Sequence, residues 1–187
     1  MDDRLPTRPY VAKAVRLLSQ PRRSPADSAL VTAVALRLAA FDSDSETSER
    51  LAAASDRVIA GVAGLVGEQS PASDWSDTAE ALALMIAGRP LQRGHLMAAR
   101  SALGSADKVI DLSDRLRRTA EEPLDRDDLG RALALAVTGP AELVEALIEK
   151  ETAEVAAEKP RSGARRAASA ERNNVSLRAL DGGVPGR

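Results

Sequence analysis

Apolar residues recur three and four positions apart through most of the chain, the pattern of amphipathic helices packed on one another. Leu82, Ile86, Leu96, Ala99 and Leu103 carry it through residues 76–103, interrupted by Gly88-Arg89-Pro90. Pro90 cannot continue a helix begun upstream, and Gly88 can take the left-handed conformation that closes one. The stretch is therefore expected to fold as helix, tight turn, helix, with the rest of the chain arranged around it. Asp77 and Glu80 form a capping pair that predicts the start of its first helix, with Trp75 packed back on the first turn.

Upstream, Pro6 and Pro9 mark residues 1–9 as an extended arm. A helix over Tyr10–Ser19 puts Tyr10, Val11, Ala14, Val15 and Leu18 inside and Lys13 and Arg16 outside. Ser24-Pro25-Ala26-Asp27 opens the next helix, with Ser24 as cap, Pro25 at the first position and an acid in the first turn. Val31, Val34, Leu38 and Phe41 form its partner-facing seam. Ser43 and Glu46 pair as the cap of a helix over about 46–66, whose stripe is Leu51, Val58, Val62 and Leu65. Gly61, Gly64 and Gly67 fall three apart on it, which fits either a frayed end or a smooth face that another backbone approaches.

Downstream, Gly104-Ser105 closes one helix and caps the next, with Val109, Leu112 and Leu116 facing inward. Arg115, Arg117 and Arg118 cluster at its negative end. Pro123 and Asp125 restart the chain, and Leu129, Leu133, Ala136 and Val137 predict a further helix ended by Gly139-Pro140. A last helix over 140–158 has Leu143, Val144, Leu147, Ile148 and Val155 inside and an acidic outer face. The expected fold is all-α, a helical bundle or short stack of helical hairpins with about six to eight helices. That domain spans 10–158, and a disordered basic C-terminal tail follows over 159–187.

A weak internal echo runs through this pattern. Ala81–Gly88 and Ala132–Gly139 align at an offset of 51, as do Asp56–Ile59 and Asp107–Ile110. They suggest hairpin units of about 50 residues beginning near Asp27, Asp77 and Asp128.

Composition narrows the chemistry. Hydrophobic residues make up 44% of the 187, dominated by alanine and leucine, while Tyr10, Phe41 and Trp75 are the only aromatics. Small side chains let helices approach closely, and so few aromatics argue against a stacking platform for single-stranded nucleic acid. Cysteine is absent, which excludes disulfides, thiolate catalysis and cysteine-ligated zinc. Ala29–Phe41, the most apolar segment, contains Arg37 and falls short of the roughly 20 residues that a membrane span needs. With acidic residues in the opening MDDRLPTRPY where a signal peptide would be basic, the expected location is the cytoplasm, away from membrane.

The net charge of −2 hides an uneven distribution. Residues from Lys159 onward carry seven positive and two negative side chains, against 19 positive and 26 negative in residues 1–158. The tail therefore invites an acidic partner, either nucleic acid or the body of another copy. Within it Val175, Leu177 and Leu180 form an apolar island suited to docking on a protein partner.

Reactive constellations are missing. His95 is the only histidine, and no carboxylate lies within a turn of it to orient it or share a metal. Gly61-x-x-Gly64-x-x-Gly67 lacks the lysine and spacing of a phosphate loop. Glu121-Glu122 and Asp127-Asp128 sit at helix starts, where the dipole accounts for them. The expectation is a non-enzymatic adaptor or structural subunit without cofactor or metal, docking into a protein assembly or self-associating. The alternative is a nucleic-acid-associated helical protein, contacting phosphates through Arg93, Arg100, Arg115, Arg117, Arg118, Arg165 and Arg166. It takes one of two forms. The first is a helix-turn-helix offering Gln92, Arg93, His95 and Arg100; the second is a helical small subunit of a nucleoprotein complex such as a CRISPR effector, of which no motif here is diagnostic.

Overall fold

The structure is a computed structural model that describes residues 8–21, 24–66, 72–122, 124 and 126–136; for 63–66, 133, 135 and 136 it describes the backbone alone. Those residues form an all-α fold of seven helices, with no strand among them. In order they are α1 (Pro9–Leu18), α2 (Pro25–Ala40), α3 (Ser45–Val66), α4 (Ala72–Ala87), α5 (Arg93–Leu103), α6 (Ala106–Glu121) and α7 (Arg126–Ala136). The helix expected over 140–158, the tail from 159 and most of the N-terminal arm lie outside the described residues. No described helix is long and apolar enough to cross a membrane.

The centre of the fold is α2 rather than the α4–α5 hairpin. It packs against α1, α3 and α4, and α6 bridges α1, α4 and α5 while α7 lies on α1. Leu30, Ala33, Val34, Ala35, Leu36, Leu38, Ala39 and Ala40 are all buried, so α2 is enclosed around most of its circumference. Leu36 and Leu38 point roughly 200° apart at 3.6 residues per turn, yet both are fully buried. The expected seam captures half of this: Val34 and Leu38 are buried, whereas Val31 and Phe41 lie at the edge of the core. Alanines at closely spaced positions make such enclosure feasible, because they keep neighbouring helix axes near.

Several helix ends follow the sequence signals. The Ser24 hydroxyl accepts the Asp27 N–H at 3.1 Å, with Pro25 at the first position. Gly88 takes a φ of +67°; its N–H donates to Met85 O and that of Arg89 to Leu84 O, a Schellman closure of α4. Gly104 takes a φ of +82° with its N–H on Arg100 O, and Ser105 caps α6 through the Lys108 N–H at 3.2 Å.

Two ends differ. α4 starts at Ala72, so Asp77, Glu80 and Trp75 lie inside the helix instead of at its cap. Glu80 turns to Arg37 at 2.9 Å, and that ion pair takes the place of the capping bond expected of it. α3 is capped by Asp44 instead of Ser43, since Asp44 Oδ1 accepts the Thr47 N–H at 2.9 Å and Oδ2 the Thr47 hydroxyl. The backbone bond and then the hydroxyl bond from Thr47 hold the Asp44 carboxyl below its ordinary value. This cap is complete above the usual carboxylate range and is lost as pH falls through the lowered value.

The glycines give a sharp test of local geometry. At Gly61 nothing within the described residues lies within 4 Å of an added Cβ, so the smooth-face reading finds no partner there; Gly64 and Gly67 fall outside what is described. Gly61→Ala is expected to stabilise the fold by up to about 1 kcal/mol, and Gly104→Ala to destabilise it by about 1–2 kcal/mol because an L-residue is strained in left-handed backbone. Chemical denaturation of both variants checks the opposite signs.

Charged side chains tie the layers together, and here the structure corrects the sequence reading most. Arg16, expected outside, is buried and pairs with Asp128, which is only 1% exposed and is also bound by Arg131 Nη2 at 2.6 Å. Ser19 Oγ donates to Asp128 O at 2.8 Å, joining α1 to the start of α7 a second time. Lys13, also expected outside, donates to Ile86 O at 3.3 Å. The reason is that α1 is covered by α2, α6 and α7 together, so few of its faces reach water, and long basic stems bury well when their ends find acceptors. Arg37 similarly joins α2, α3 and α4, meeting Asp56 at 2.7 Å, Glu80 at 2.9 Å and Ser55 Oγ at 3.3 Å.

The start of α1 is fixed from afar. Asp42 Oδ2 accepts the backbone N–H groups of Tyr10 at 2.9 Å and Val11 at 3.3 Å, placing a carboxylate at the positive end of the helix. Beside it Tyr10 and Phe41 meet edge to face at 5.9 Å, and the Arg89 guanidinium lies 4.2 Å from the Phe41 ring centre. The arginine of the α4–α5 turn is thereby spent on the fold.

As for the internal echo, one helix separates α2 from α4 and two separate α4 from α7. Ile59 is buried at 4% exposure while its counterpart Ile110 is 52% exposed.

Candidate interaction surface

α5 and α6 are joined by Gly104-Ser105 alone; α5 packs chiefly on α4, and α6 meets α1, α4 and α5. α5 buries just one residue fully, Ala99, with His95, Ala98, Ala102 and Leu103 half-buried beside it. Its remaining arc carries Arg93, Leu96, Met97 and Arg100, all exposed. Leu96, expected on the inner stripe, is 43% exposed and Met97 61%. A helix at the edge of the fold has neighbours on one side only, so its three-to-four spacing outlasts its burial.

α6 is more firmly seated. Val109, Ser113, Leu116 and Ala120 face inward and are buried. Ile110 is 52% exposed, and Asp107, Asp111 and Asp114 recur four and three apart on the outer arc. Among the described residues, the exposed large apolar side chains are Leu96, Met97 and Ile110, all on this hairpin.

The arginines proposed from sequence separate into distinct roles. Arg117 is half-buried and donates to Met85 O at 2.8 Å, so together with Lys13 on Ile86 O it neutralises the negative end of α4. It is a structural residue rather than a contact for ligand. Arg118 Nε reaches Asp114 O in its own helix at 3.3 Å. Arg93, Arg100 and Arg115 are exposed and form no ion pair with any described residue. Arg93 and Arg100 share one face of α5, seven residues apart. Arg165, Arg166, Val175, Leu177 and Leu180 lie outside the described residues.

Charge on the hairpin is therefore mixed: arginines on α5, aspartates alternating with Lys108, Arg115 and Arg118 on α6. Leu96 and Met97 of α5 and Ile110 of α6 are thus exposed apolar side chains set among charged ones, a composition met at protein contacts. His95 Nδ1 and Ser113 Oγ are buried atoms without hydrogen-bond partners among the described residues. Among those residues no three His, Asp or Glu side chains gather as a metal site.

The sequence reading missed Arg16, Asp128 and the Arg37 cluster. A signal was present for Asp128: Leu124, Asp128 and Ala132 are four apart and all buried, so the acid shares the apolar stripe. Arg37 sits between Leu36 and Leu38 on a helix apolar all round, where a lone charge needs partners inside.

Comparison with protein-family models, curated proteins and solved structures finds no match.

Proposed function

We propose that the chain is a non-enzymatic helical subunit that docks into a protein assembly through the outer face of the α5–α6 hairpin. The observation that carries this reading is that, among the described residues, the exposed large apolar side chains are Leu96, Met97 and Ile110 of these two consecutive helices. Exposed apolar groups scattered singly need no explanation, but three within fifteen residues fit a surface that is covered in use. Met97 suits that role, since an unbranched thioether adapts to irregular partners. Arg93 and Arg100 beside it set partner choice by charge. A cytoplasmic setting belongs to the same proposal.

Contact with a nucleic-acid backbone is the second reading, supported by the exposure of Arg93, Arg100 and Arg115 without ion pairs among the described residues. Asp107, Asp111 and Asp114 on the same hairpin weigh against it, because they would face the phosphates. It requires binding that falls steeply with salt.

The test is the double substitution Leu96→Ser with Met97→Ser in the full chain. Both positions are exposed, so unfolding free energy is expected to stay within about 0.5 kcal/mol of wild type. Sedimentation of cell extract should show the wild-type chain in a particle heavier than one copy and the variant released from it. A wild-type chain sedimenting alone, or a variant still in the heavy particle, would remove the reading.

A further inference from the structure

Whatever covers its outer face, we infer that α5 is a hinged strap, which unfolds locally between the Gly88 turn and Gly104 while the helices around α2 stay folded. Its start is uncapped: Gln92 offers no side-chain acceptor to the first-turn amides, and no acid stands among them. α1, α2, α3 and α6 each have such an oxygen, from Asp42, Ser24, Asp44 and Ser105 in turn. Arg93, at the first position of α5, instead brings a positive charge to the positive end of the helix dipole.

Gly94 follows within the first turn, where glycine gives up more backbone freedom than any other residue. A Cβ added there would meet nothing within 4 Å, so no close neighbour requires the glycine. Burial does little to compensate: Ala99 is the one fully buried residue of α5, against Val109, Ser113, Leu116 and Ala120 in α6. An alanine removes little apolar area from water, which offsets little of the entropy lost in ordering the 11 residues of this helix. His95 Nδ1 is buried without a hydrogen-bond partner among the described residues, a cost that opening relieves by admitting water.

Both ends of the strap are anchored on parts of the fold that need not open with it. Arg89 lies over the Phe41 and Tyr10 rings at 4.2 and 5.2 Å, and Ser105 caps α6. Just inside these anchors Gly88 and Gly104 hold positive φ, and residues free to take either sign are suited to act as hinges. The C-terminal end is the better made, with the Gly104 N–H on Arg100 O and a basic residue in the last turn, so opening begins at Arg93. Elements that bind or move are drawn from the least stable part of a fold, and the exposed Leu96 and Met97 lie on this one.

Amide hydrogen exchange of the full chain tests this. Amides from Leu96 to Leu103 are expected to exchange at least about a hundredfold faster than the buried amides of α2, which open only with the whole fold, and to respond little to low urea. Gln92→Asp with Gly94→Ala supplies the missing cap and removes the glycine, and should slow exchange in α5 about thirtyfold. Ile59→Val acts elsewhere: it trims a buried side chain of α3, which packs chiefly on α2. It should speed α2 exchange about twofold to tenfold and leave α5 unchanged. Three results would overturn the inference: α5 amides as protected as those of α2, α5 exchange that rises with that of α2 in Ile59→Val, or no slowing in Gln92→Asp with Gly94→Ala.

Discussion

Replacing Asp128 by alanine is expected to lower the free energy of unfolding by about 3–5 kcal/mol, since it leaves the buried Arg16 guanidinium with only the exposed Glu122 carboxylate, 4.0 Å away, as counter-charge. Asp128 binds Arg16 and Arg131 together while its backbone carbonyl receives the Ser19 hydroxyl, so one residue ties α7 to α1 through both its side chain and its backbone. The loss should exceed what removing an exposed ion pair costs, which is about 1 kcal/mol or less. The diagnostic companion is Arg16→Met with Asp128→Leu, in which no charge is stranded. That double variant is expected to recover most of the stability, because apolar side chains of similar volume replace a buried pair at little net cost. Urea denaturation of the three proteins measures it; equal losses in single and double variants would mean that packing, and not the stranded charge, accounts for the effect.

Leu36→Ala and Leu38→Ala are each expected to destabilise the fold by about 2–5 kcal/mol, the range for emptying a filled leucine site. Their near equality is the informative part. On a helix with one buried stripe, residues roughly 200° apart cannot both be inside, and the seam Val31, Val34, Leu38 and Phe41 would leave Leu36 close to neutral. α2 is instead enclosed by α1, α3 and α4. Thermal unfolding of the two variants distinguishes these cases: a small effect at Leu36 beside a large one at Leu38 would return α2 to the edge of the molecule.

Helix number and most boundaries were legible because local chemistry decides them. Ser24-Pro25 opens α2 and Gly104-Ser105 divides α5 from α6, as their backbone preferences require. What periodicity could not reveal was how many neighbours each helix has. Three-to-four spacing groups Leu96 with Ala99 and Leu103, but whether that stripe is covered depends on helices distant in sequence; Ala99 is buried and Leu96 is not. The same ignorance put Arg16 in water, although it lies in the apolar run Ala14–Leu18 on a helix covered from three directions. Cap signals erred where a stronger partner competed, as when Glu80 turned to Arg37.

The arginines teach a related lesson about the surface. Sequence placed Arg93, Arg100, Arg115, Arg117 and Arg118 together as one basic set. In the fold Arg117 closes the carbonyl end of α4, while Arg93 and Arg100 stand free of described partners beside Leu96 and Met97. The difference lies in whether a helix C-terminus is within reach, which only the packing of α6 on α4 decides.

The claim on which the functional account rests is that the outer face of α5 is covered by protein in the cell. Placing a photo-activated cross-linking side chain at Met97, and as control at the exposed Ala53 of α3, tests it directly. Irradiated cells should yield a discrete heavier adduct from position 97 and none from position 53. No adduct at 97, or the same adducts from both positions, would contradict the account.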